Sequence, residues 1–361
     1  WTSVGSLPGG ARQGLKGASV TGQYGGTAQY AQAVFVGGTD AVGPVKFVDA
    51  YTDTNLGDGT PPTLSAFTAL TTGRSLFAIA ARNTPCGTTT CADTRHFVVA
   101  GGTTTAGSTA SVERLSGVIN VAPPTSWSSL APLGTARSNP GYASLGTDLW
   151  VGGGQAGSGT LSAEVTLIAI VAGTVTNIGN LASPRQNLAV AVADFGTKNE
   201  AVFAGGTTAS LASAATVDVA TRTDVLAASR MLTSRNSAAA ARLPTSGHVL
   251  IVGGRSGPPL ATVELFAPMV AGNACGFDGD CVSNACTDGF CCNNACLGQC
   301  QACNLPGKEG SCTKVNKDNG PLGYPAGQAV SGFGTTRALC APFGEPCGYS
   351  CDGSSASACT L

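Results

Sequence analysis

Five short apolar runs along the chain each end in glycines, and small or polar residues follow each run. The runs are Ala33–Gly38, Phe97–Gly102, Leu149–Gly154, Ala201–Gly206 and Val249–Gly254. The first glycines of successive runs are 64, 51, 53 and 48 residues apart. A period near 50 residues, with several strand-sized runs in each period, is typical of the blades of a β-propeller.

Each glycine-ended run has neighbours of strand length in a fixed order. A run of small residues precedes it, at 17–23, 76–82, 140–146, 188–196 and 238–243. An alternating apolar–polar run follows it, at 45–51, 110–115, 163–170, 215–221 and 261–267. Alternation with a period of two indicates a strand with one buried face. We therefore expect four strands per repeat, the fourth being an outer strand that leads into an arginine.

The outer strand is predicted from segments that end in arginine, at Phe67–Arg74, Trp127–Arg137, Val175–Arg185 and Val225–Arg235. The chain opens with the same motif, WTSVGSLPGGAR, whereas the fifth repeat ends without one. We therefore expect Trp1–Leu7 to pair with Ala261–Ala267 and close the ring, which removes the open sheet edge. The alternatives are a further, divergent blade, or donation of the first strand to a neighbouring chain, which gives a swapped chain or filament.

These features resemble kelch repeats: the glycine pair after an apolar strand, the VELF strand at Val263–Phe266, and the outer strand with tryptophan, leucine and arginine. The resemblance runs from Trp1 to about Met269. It implies an all-β fold in which residues 1–270 form a kelch-like β-propeller. The repeat units give five four-stranded blades, closed by the N-terminal strand. Kelch propellers more usually have six or seven blades, so a ring of five departs from the family.

Cysteine is concentrated near the end of the printed sequence. The cysteines are Cys86, Cys91, Cys275, Cys281, Cys286, Cys291, Cys292, Cys296, Cys300, Cys303, Cys312, Cys340, Cys347, Cys351 and Cys359. The last 13 lie among too few large apolar residues to form a core, so we expect a small disulfide-stapled domain over residues 271–361. It divides into two halves at about 271–315 and 316–361. Its cysteine spacing resembles the EGF-like modules that follow repeat domains in bacterial secreted and cell-surface proteins.

The pairing of these cysteines stays open at this point. Cys86 and Cys91 flank a short loop, and we expect them to bond to each other. Because 13 is odd, at least one thiol of the tail lacks a partner there; it is free, bonded to Cys86 or Cys91, or bonded to another chain. Zinc at Cys300–Cys303 is the rival interpretation, but the tail has no second such pair and no histidine.

Net charge and hydropathy limit the classes of partner that the chain can bind. The formal net charge is −1 and charged residues make up 11% of the chain, so no field is available to hold a nucleic acid. No apolar run reaches the 18 residues of a membrane span. With the cysteines, this predicts an extracellular protein, secreted or attached to the cell surface.

The residues offer little reactive chemistry. His96 and His248 each lie five residues before their glycine pairs, a shared repeat position that favours a structural role. We predict no catalytic residue and no cofactor. Calcium candidates in glycine-rich loops are Asp53, Asp58, Asp278 and Asp280, for which solvated turns are the preferred interpretation. The arginines that end the outer strands are expected to hydrogen-bond main-chain carbonyls rather than to bind anions.

We therefore expect a non-catalytic structural or binding protein of the cell exterior. Its predicted partner is a further copy of itself, or another extracellular protein or glycan, and the preferred form is a self-assembling subunit of a filament or surface layer. The alternatives are a carbohydrate- or protein-binding adhesin-like module and, less favoured, a propeller-based secreted enzyme of the oxidase type.

Overall fold

The computed structural model describes residues 3, 5–24, 28–54, 56, 62–86, 92–118, 125–196, 198–297, 301–305 and 307–314. Within these residues every regular element is a β-strand except for a single 3-10 turn at Asp278–Asp280. All the strand pairs are antiparallel hairpin-type neighbours. The chain is therefore an all-β protein, as the period-two alternation predicts.

Four antiparallel sheets of four strands and one of three follow one another along the chain. Sheet 1 contains β1 (Lys16–Tyr24), β2 (Ala28–Val36), β3 (Val48–Asp53) and β4 (Thr63–Ala66). Sheet 2 contains β5 (Ala78–Thr84), β6 (Thr94–Ala100), β9 (Val112–Val118) and β10 (Ser128–Ser129), with the small hairpin β7 (Thr103–Thr104) and β8 (Gly107–Ser108) inserted.

Sheet 3 contains β11 (Gly141–Leu145), β12 (Asp148–Gly152), β13 (Glu164–Ala169) and β14 (Val175–Asn180). Sheet 4 contains β15 (Ala189–Asp194), β16 (Asn199–Ala204), β17 (Val217–Ala220) and β18 (Val225–Ala228). Sheet 5 contains β19 (Ala239–Arg242), β20 (Val249–Val252) and β21 (Val263–Phe266). The cysteine-rich region adds β22 (Cys286–Thr287), β23 (Phe290–Cys291), β24 (Gln301–Ala302) and β25 (Thr313–Lys314).

The repeat predicted from the sequence matches these sheets strand by strand, with one error. The outer strand of the first repeat was expected within Phe67–Arg74, but β4 ends at Ala66. The following residues still follow β3, because Phe67 N donates to Val48 O and Leu70 N donates to Lys46 O. Their spacing is irregular, so they form no strand, and Leu70 is buried between sheets 1 and 2.

The predicted closing strand is not among the described strands. Trp1, Thr2 and Val4 lie outside the described residues, and Ser3 and Gly5–Leu7 are not in a strand. Sheet 5 has three strands in the described structure, with β21 at its edge. Closure by the first residues of the chain therefore stays a prediction.

The sheets stack face to face in chain order. The first strand of each sheet packs on the first strand of the next: β1 on β5, β5 on β11, β11 on β15, and β15 on β19. Val34 and Ala50 of sheet 1, for example, pack against Phe97 and Val99 of sheet 2. Among the described residues no comparable packing joins β19 to β1.

A buried arginine fixes the start of every sheet. The side chains of Arg12, Arg74, Arg137, Arg185 and Arg235 are completely inaccessible. Each pairs with an acidic residue of the third strand of the sheet that it introduces, respectively Asp49, Glu113, Glu164, Asp218 and Glu264. Each also donates to main-chain oxygens, as Arg74 does to Gly101 O and Ser111 O. The carbonyl bonds confirm the sequence prediction, whereas the carboxylate partners were not predicted.

Replacing Arg185 with methionine should cost about 3–5 kcal/mol in the free energy of unfolding, because Asp218 is then buried without its cation. The double variant Arg185→Met/Asp218→Leu should recover most of that loss. Arg242→Ala is the control, since the Arg242–Asp194 pair is about one-third exposed and should contribute less than about 1 kcal/mol. Urea unfolding measures all three, and equal losses in Arg185→Met and Arg242→Ala would contradict the argument.

Candidate functional site

The two histidines serve hydrogen bonding and packing in the described structure. His96 Nδ1 lies 2.8 Å from Ser116 Oγ and its Nε2 lies 3.1 Å from Thr84 Oγ1. Burial lowers the pKa of His96, and the charge of Arg114 lowers it further, so the ring is neutral at physiological pH. His248 packs beside Phe195. No ion pair among the described residues includes a histidine, so no acid–base pair forms around either ring.

The three calcium candidates that the structure describes lie in two separate elements, Asp53 in β3 and both Asp278 and Asp280 in the 3-10 turn. Asp53 ends β3 and Asp58 lies outside the described residues. Asp278 Oδ1 accepts a hydrogen bond from Cys286 N at 2.7 Å. Among the described residues, the cluster of three possible metal ligands consists of Cys275, Cys281 and Cys291, and all three are in disulfides.

Four disulfides staple the described part of the cysteine-rich region. They join Cys275 to Cys286, Cys281 to Cys291, Cys292 to Cys303, and Cys296 to Cys312. The first two bonds interleave along the chain, as do the last two. Cys303 is thereby a disulfide partner and not a zinc ligand. These bonds indicate an oxidising, extracellular-type environment.

The remaining cysteines are only partly described. Cys86 is disulfide-bonded, but its predicted partner Cys91 lies outside the described residues, as do Cys300, Cys340, Cys347, Cys351 and Cys359. The Cys86–Cys91 pairing and the fate of the odd thiol therefore stay predictions.

Asp280 anchors the cysteine-rich region to sheet 4. Its carboxylate accepts hydrogen bonds from Ser229 N at 2.5 Å, Ser229 Oγ at 2.8 Å, Phe277 N at 2.9 Å and Gly276 N at 3.0 Å. Four donors thus occupy the two carboxylate oxygens. Beside it Gly279 lies so close to β18 that a Cβ there would come within 2.6 Å of Ala227 O. The 3-10 turn therefore covers the outer edge of sheet 4.

Replacing Asp280 with alanine should release the cysteine-rich region from β18, since Ser229 loses both of its bonds to that region. We expect faster protease cleavage between sheet 5 and Cys275, with the unfolding transition of the sheets little changed. Glu309→Ala, in the exposed part of the same region, should leave cleavage unchanged. Protection of the unmodified chain by calcium, lost on chelation, would instead support the calcium interpretation of Asp278 and Asp280.

Two other buried carboxylates differ in the direction of their pKa shift. Burial raises the pKa of Glu200, and a hydrogen bond from Asn284 Nδ2 at 2.7 Å opposes the shift only in part. Burial would also raise the pKa of Glu164, but Arg137, the hydroxyls of Thr166 and Thr135 and a main-chain N–H hold it below its ordinary value. Ionised Glu200 therefore weakens the fold, whereas ionised Glu164 strengthens it.

The two glutamine substitutions should therefore show opposite pH dependence. The folded protein binds the Glu200 proton more tightly than the unfolded chain, so Glu200→Gln should gain in relative stability as the pH rises from 4 to 7. The folded protein binds the Glu164 proton less tightly, so Glu164→Gln should lose in relative stability over the same range, with its smallest deficit in acid. Urea unfolding at several pH values measures both, and parallel profiles would refute the assignment.

The outward face of sheet 5 is the largest departure from the repeat. This face consists of Ala239, Ala241, Leu250, Val252, Val263 and Leu265, which the strand register places side by side. Val252, Val263 and Leu265 are 41%, 55% and 53% exposed. The residues at the same repeat positions in sheet 1, Val36, Val48 and Ala50, are 0%, 2% and 0% exposed because sheet 2 covers them. Sheet 5 therefore presents an apolar face without a described partner.

A groove follows the unpaired edge of this sheet. It encloses about 380 Å³ between β21, the end of β18 and the start of the cysteine-rich region, and its walls include Met231, Leu232, Val263 and Phe266. Leu232 is 95% exposed there. In sheets 1 to 4 a fourth strand pairs with the third strand. The candidate functional site is thus an interaction surface made of the outward face and open edge of sheet 5.

The sequence pattern did not reveal this surface, because its residues read as an ordinary strand. The missing outer strand of the fifth repeat was the available signal, and it was interpreted as filled by Trp1–Leu7. The acidic residue that recurs in each third strand was a second signal, and it would have identified the buried arginine partners.

No protein-family model matches the chain, and no curated protein matches it. Among solved structures the chain is similar to one titled "Structure of YjhT", with 13% sequence identity and a TM-score of 0.46. The match covers 73% of this chain and 84% of that chain. A similarity of this size supports no conclusion about fold or function.

Proposed function

We propose that this chain is a non-catalytic structural protein of the cell exterior, a self-assembling subunit of an extracellular filament or surface layer. The proposal depends on the uncovered apolar face and unpaired edge of sheet 5. Exposed apolar patches and unpaired strand edges are characteristic of surfaces that bind another protein. The five sheets act as a rigid scaffold for that surface.

In this proposal the five sheets are kelch-like blades arranged about a common axis. The stacking of the first strands in chain order supports the arrangement, as does the recurrence of the arginine–carboxylate pair in all five sheets. The cysteine-rich region is a secreted, disulfide-stapled module that covers the edge of sheet 4. No helix among the described residues has the length and apolarity needed to cross a bilayer.

A ligand-binding role has weaker support. A cavity of about 510 Å³ between sheets 4 and 5 is lined mainly by small polar residues, with Arg255 at its rim. Its polar groups already bond to one another, as Asn236 Nδ2 does to Ser213 Oγ at 2.8 Å and Ser234 does to Ser256 at 3.0 Å. None of its lining residues is aromatic, so it lacks the apolar platform of most small-molecule sites. The structural role is therefore the better supported one.

The proposal predicts assembly under non-reducing conditions. Sedimentation should show species larger than the 35.5 kDa monomer, and their fraction should rise with protein concentration. Negative-stain electron microscopy should show regular polymers or arrays. A monomer at every concentration tested, up to the highest soluble one, would refute the proposed function.

A further inference from the structure

The four internal junctions between sheets share one main-chain contact. At each junction the carbonyl oxygen of the buried arginine accepts a hydrogen bond from the second of two left-handed glycines in the preceding sheet. The bonds join Gly38 N to Arg74 O (3.0 Å), Gly102 N to Arg137 O (2.9 Å), Gly154 N to Arg185 O (2.8 Å) and Gly206 N to Arg235 O (2.8 Å). Each of sheets 1 to 4 thus donates to the arginine that introduces the next sheet.

The first glycine of each pair lies under the same carbonyl oxygen. A Cβ at Gly101 would come within 2.7 Å of Arg137 O. A Cβ at Gly37, Gly153 or Gly205 would come still closer to the carbonyl oxygen of the arginine that introduces the next sheet, respectively Arg74, Arg185 and Arg235. Any side chain at these positions would therefore push the next sheet away. Glycine is required here by the neighbouring sheet as well as by its positive φ.

At the two ends of the series of five sheets, the donor and the acceptor of this contact each lack a partner among the described residues. Gly254 N has no hydrogen-bond partner among the described residues, and a Cβ at Gly253 would meet only Leu260 O, at 3.5 Å. At the other end Arg12 O accepts no hydrogen bond among the described residues. The Arg12 side chain is nevertheless bound to Asp49 at 2.5 Å, as the other four arginines are to their carboxylates.

Side-chain exposure also distinguishes sheets 1 and 5 from the sheets between them. Phe35 of sheet 1 is only half-buried, although Val99, Val151, Phe203 and Ile251 at its repeat position are at most 2% exposed because each faces a preceding sheet. The strand register places Ser19, Ala33, Tyr51 and Leu64 on this same side, and we call them, with Phe35, the outward face of sheet 1. The outward face of sheet 5 lacks the following sheet in the same way.

Gly5 contacts the fourth strand of sheet 1 in the way expected of a preceding sheet. Gly5, with φ +119°, lies beside Leu64 of β4, where a Cβ would be 3.9 Å from Leu64 Cδ2. In sheet 3 the corresponding residue of the outer strand, Gly179, has φ +136° and lies beside Val225 of sheet 4. Gly5 therefore lies beside the fourth strand of sheet 1 as Gly179 lies beside the fourth strand of sheet 4.

We infer that the outward face of sheet 5 docks on the outward face of sheet 1 of a second copy, head to tail. Gly254 N then donates to Arg12 O of the second copy, and residues 5–7 of that copy lie beside the free edge of β21. The outward face of sheet 5 carries no charge, and Arg12 neutralises Asp49 on the opposing face, so the contact buries no unpaired ion there. Because the two faces differ, the contact is heterologous and repeats from copy to copy.

A second copy is favoured over closure within one chain. Among the described residues β19 does not pack on β1 in the way that the first strands pack on one another at the four internal junctions. Closure within one chain would require β19 and β1 to approach each other across four junctions, each of which contains a buried ion pair and a main-chain bond. Docking of a second copy changes none of them.

The inference rests on the proposed self-assembly, and mixing two blocked variants tests it separately. Val263→Glu places a charge on the outward face of sheet 5, and Ser19→Glu places one on the exposed first strand of sheet 1. Each variant alone should be monomeric, since a charge left buried in the contact should raise the half-assembly concentration by more than about tenfold. An equimolar mixture should form a heterodimer and nothing larger, because one intact face of each kind remains.

Val42→Glu is the matched control, since Val42 is 95% exposed in a turn away from both faces; it should assemble like the parent chain. Sedimentation of the parent, the variants and the mixture separates the outcomes. If Val263→Glu is monomeric and Ser19→Glu still forms dimers, the contact is symmetric and joins sheet 5 to sheet 5, which contradicts the head-to-tail contact. Polymers that persist in both variants would overturn the inference and leave the proposed function intact, whereas a monomeric parent would overturn both.

Gly253→Asn gives a second, smaller block. Asparagine tolerates the left-handed conformation, and the space around Gly253 is open in the single chain, so the melting temperature of the monomer should be unchanged. The added side chain would meet Arg12 O of the second copy and prevent docking. Amide exchange at Gly254 should be slow in the assembled parent and fast in Gly253→Asn. Equal exchange in both proteins would contradict the assigned hydrogen bond.

Discussion

The buried arginine at the start of each sheet is the interaction on which the fold depends. Its guanidinium holds an acidic residue of its own sheet, and at the internal junctions its carbonyl oxygen holds a glycine N–H of the preceding sheet. One residue thus bonds to two successive sheets, in a place where water is excluded. An ion pair so deeply buried contributes little net stability compared with apolar residues, because desolvation offsets the attraction. It does make a wrong register costly, since any shift leaves a charge buried and unpaired.

The recurrence of this pair explains how a chain with few charged residues specifies its register. Two of the cores between the sheets consist largely of alanine, valine, isoleucine and leucine, which pack without strong directional preference. A strand shifted by one residue would exchange its two faces, and in such sheets both faces are apolar. The acidic residue of each third strand removes that ambiguity, because only one register brings it to its arginine. These five acidic residues therefore help to select one register from the alternatives.

Much of the sheet order could be predicted from the sequence, because period-two alternation and glycine-ended runs report directly on strands and their ends. The first outer strand was misplaced because Phe67 and Leu70 have the apolar spacing of the motif, while their hydrogen bonds to Val48 O and Lys46 O are too irregular for a strand. The disulfide connections were not predictable, since cysteine spacing alone allows many pairings. The outward face of sheet 5 was hidden for another reason: Val252, Val263 and Leu265 have the same residue types as their buried counterparts, and only the absence of a covering sheet distinguishes them.

A repeat that joins each unit to the next by a two-sided contact always leaves one donor and one acceptor unmatched unless it closes on itself. Gly254 N and Arg12 O are those two groups in the described structure, and the same two ends carry the uncovered apolar faces. The 3-10 turn at Asp280 covers the edge of sheet 4, whereas no described element covers the edge of sheet 5. The open edge of sheet 5 lies beside the covered edge of sheet 4, and this difference favours a partner that covers sheet 5. In the proposed head-to-tail contact the partner is a second copy, since the surface that fits sheet 5 is the kind of surface that sheet 1 presents.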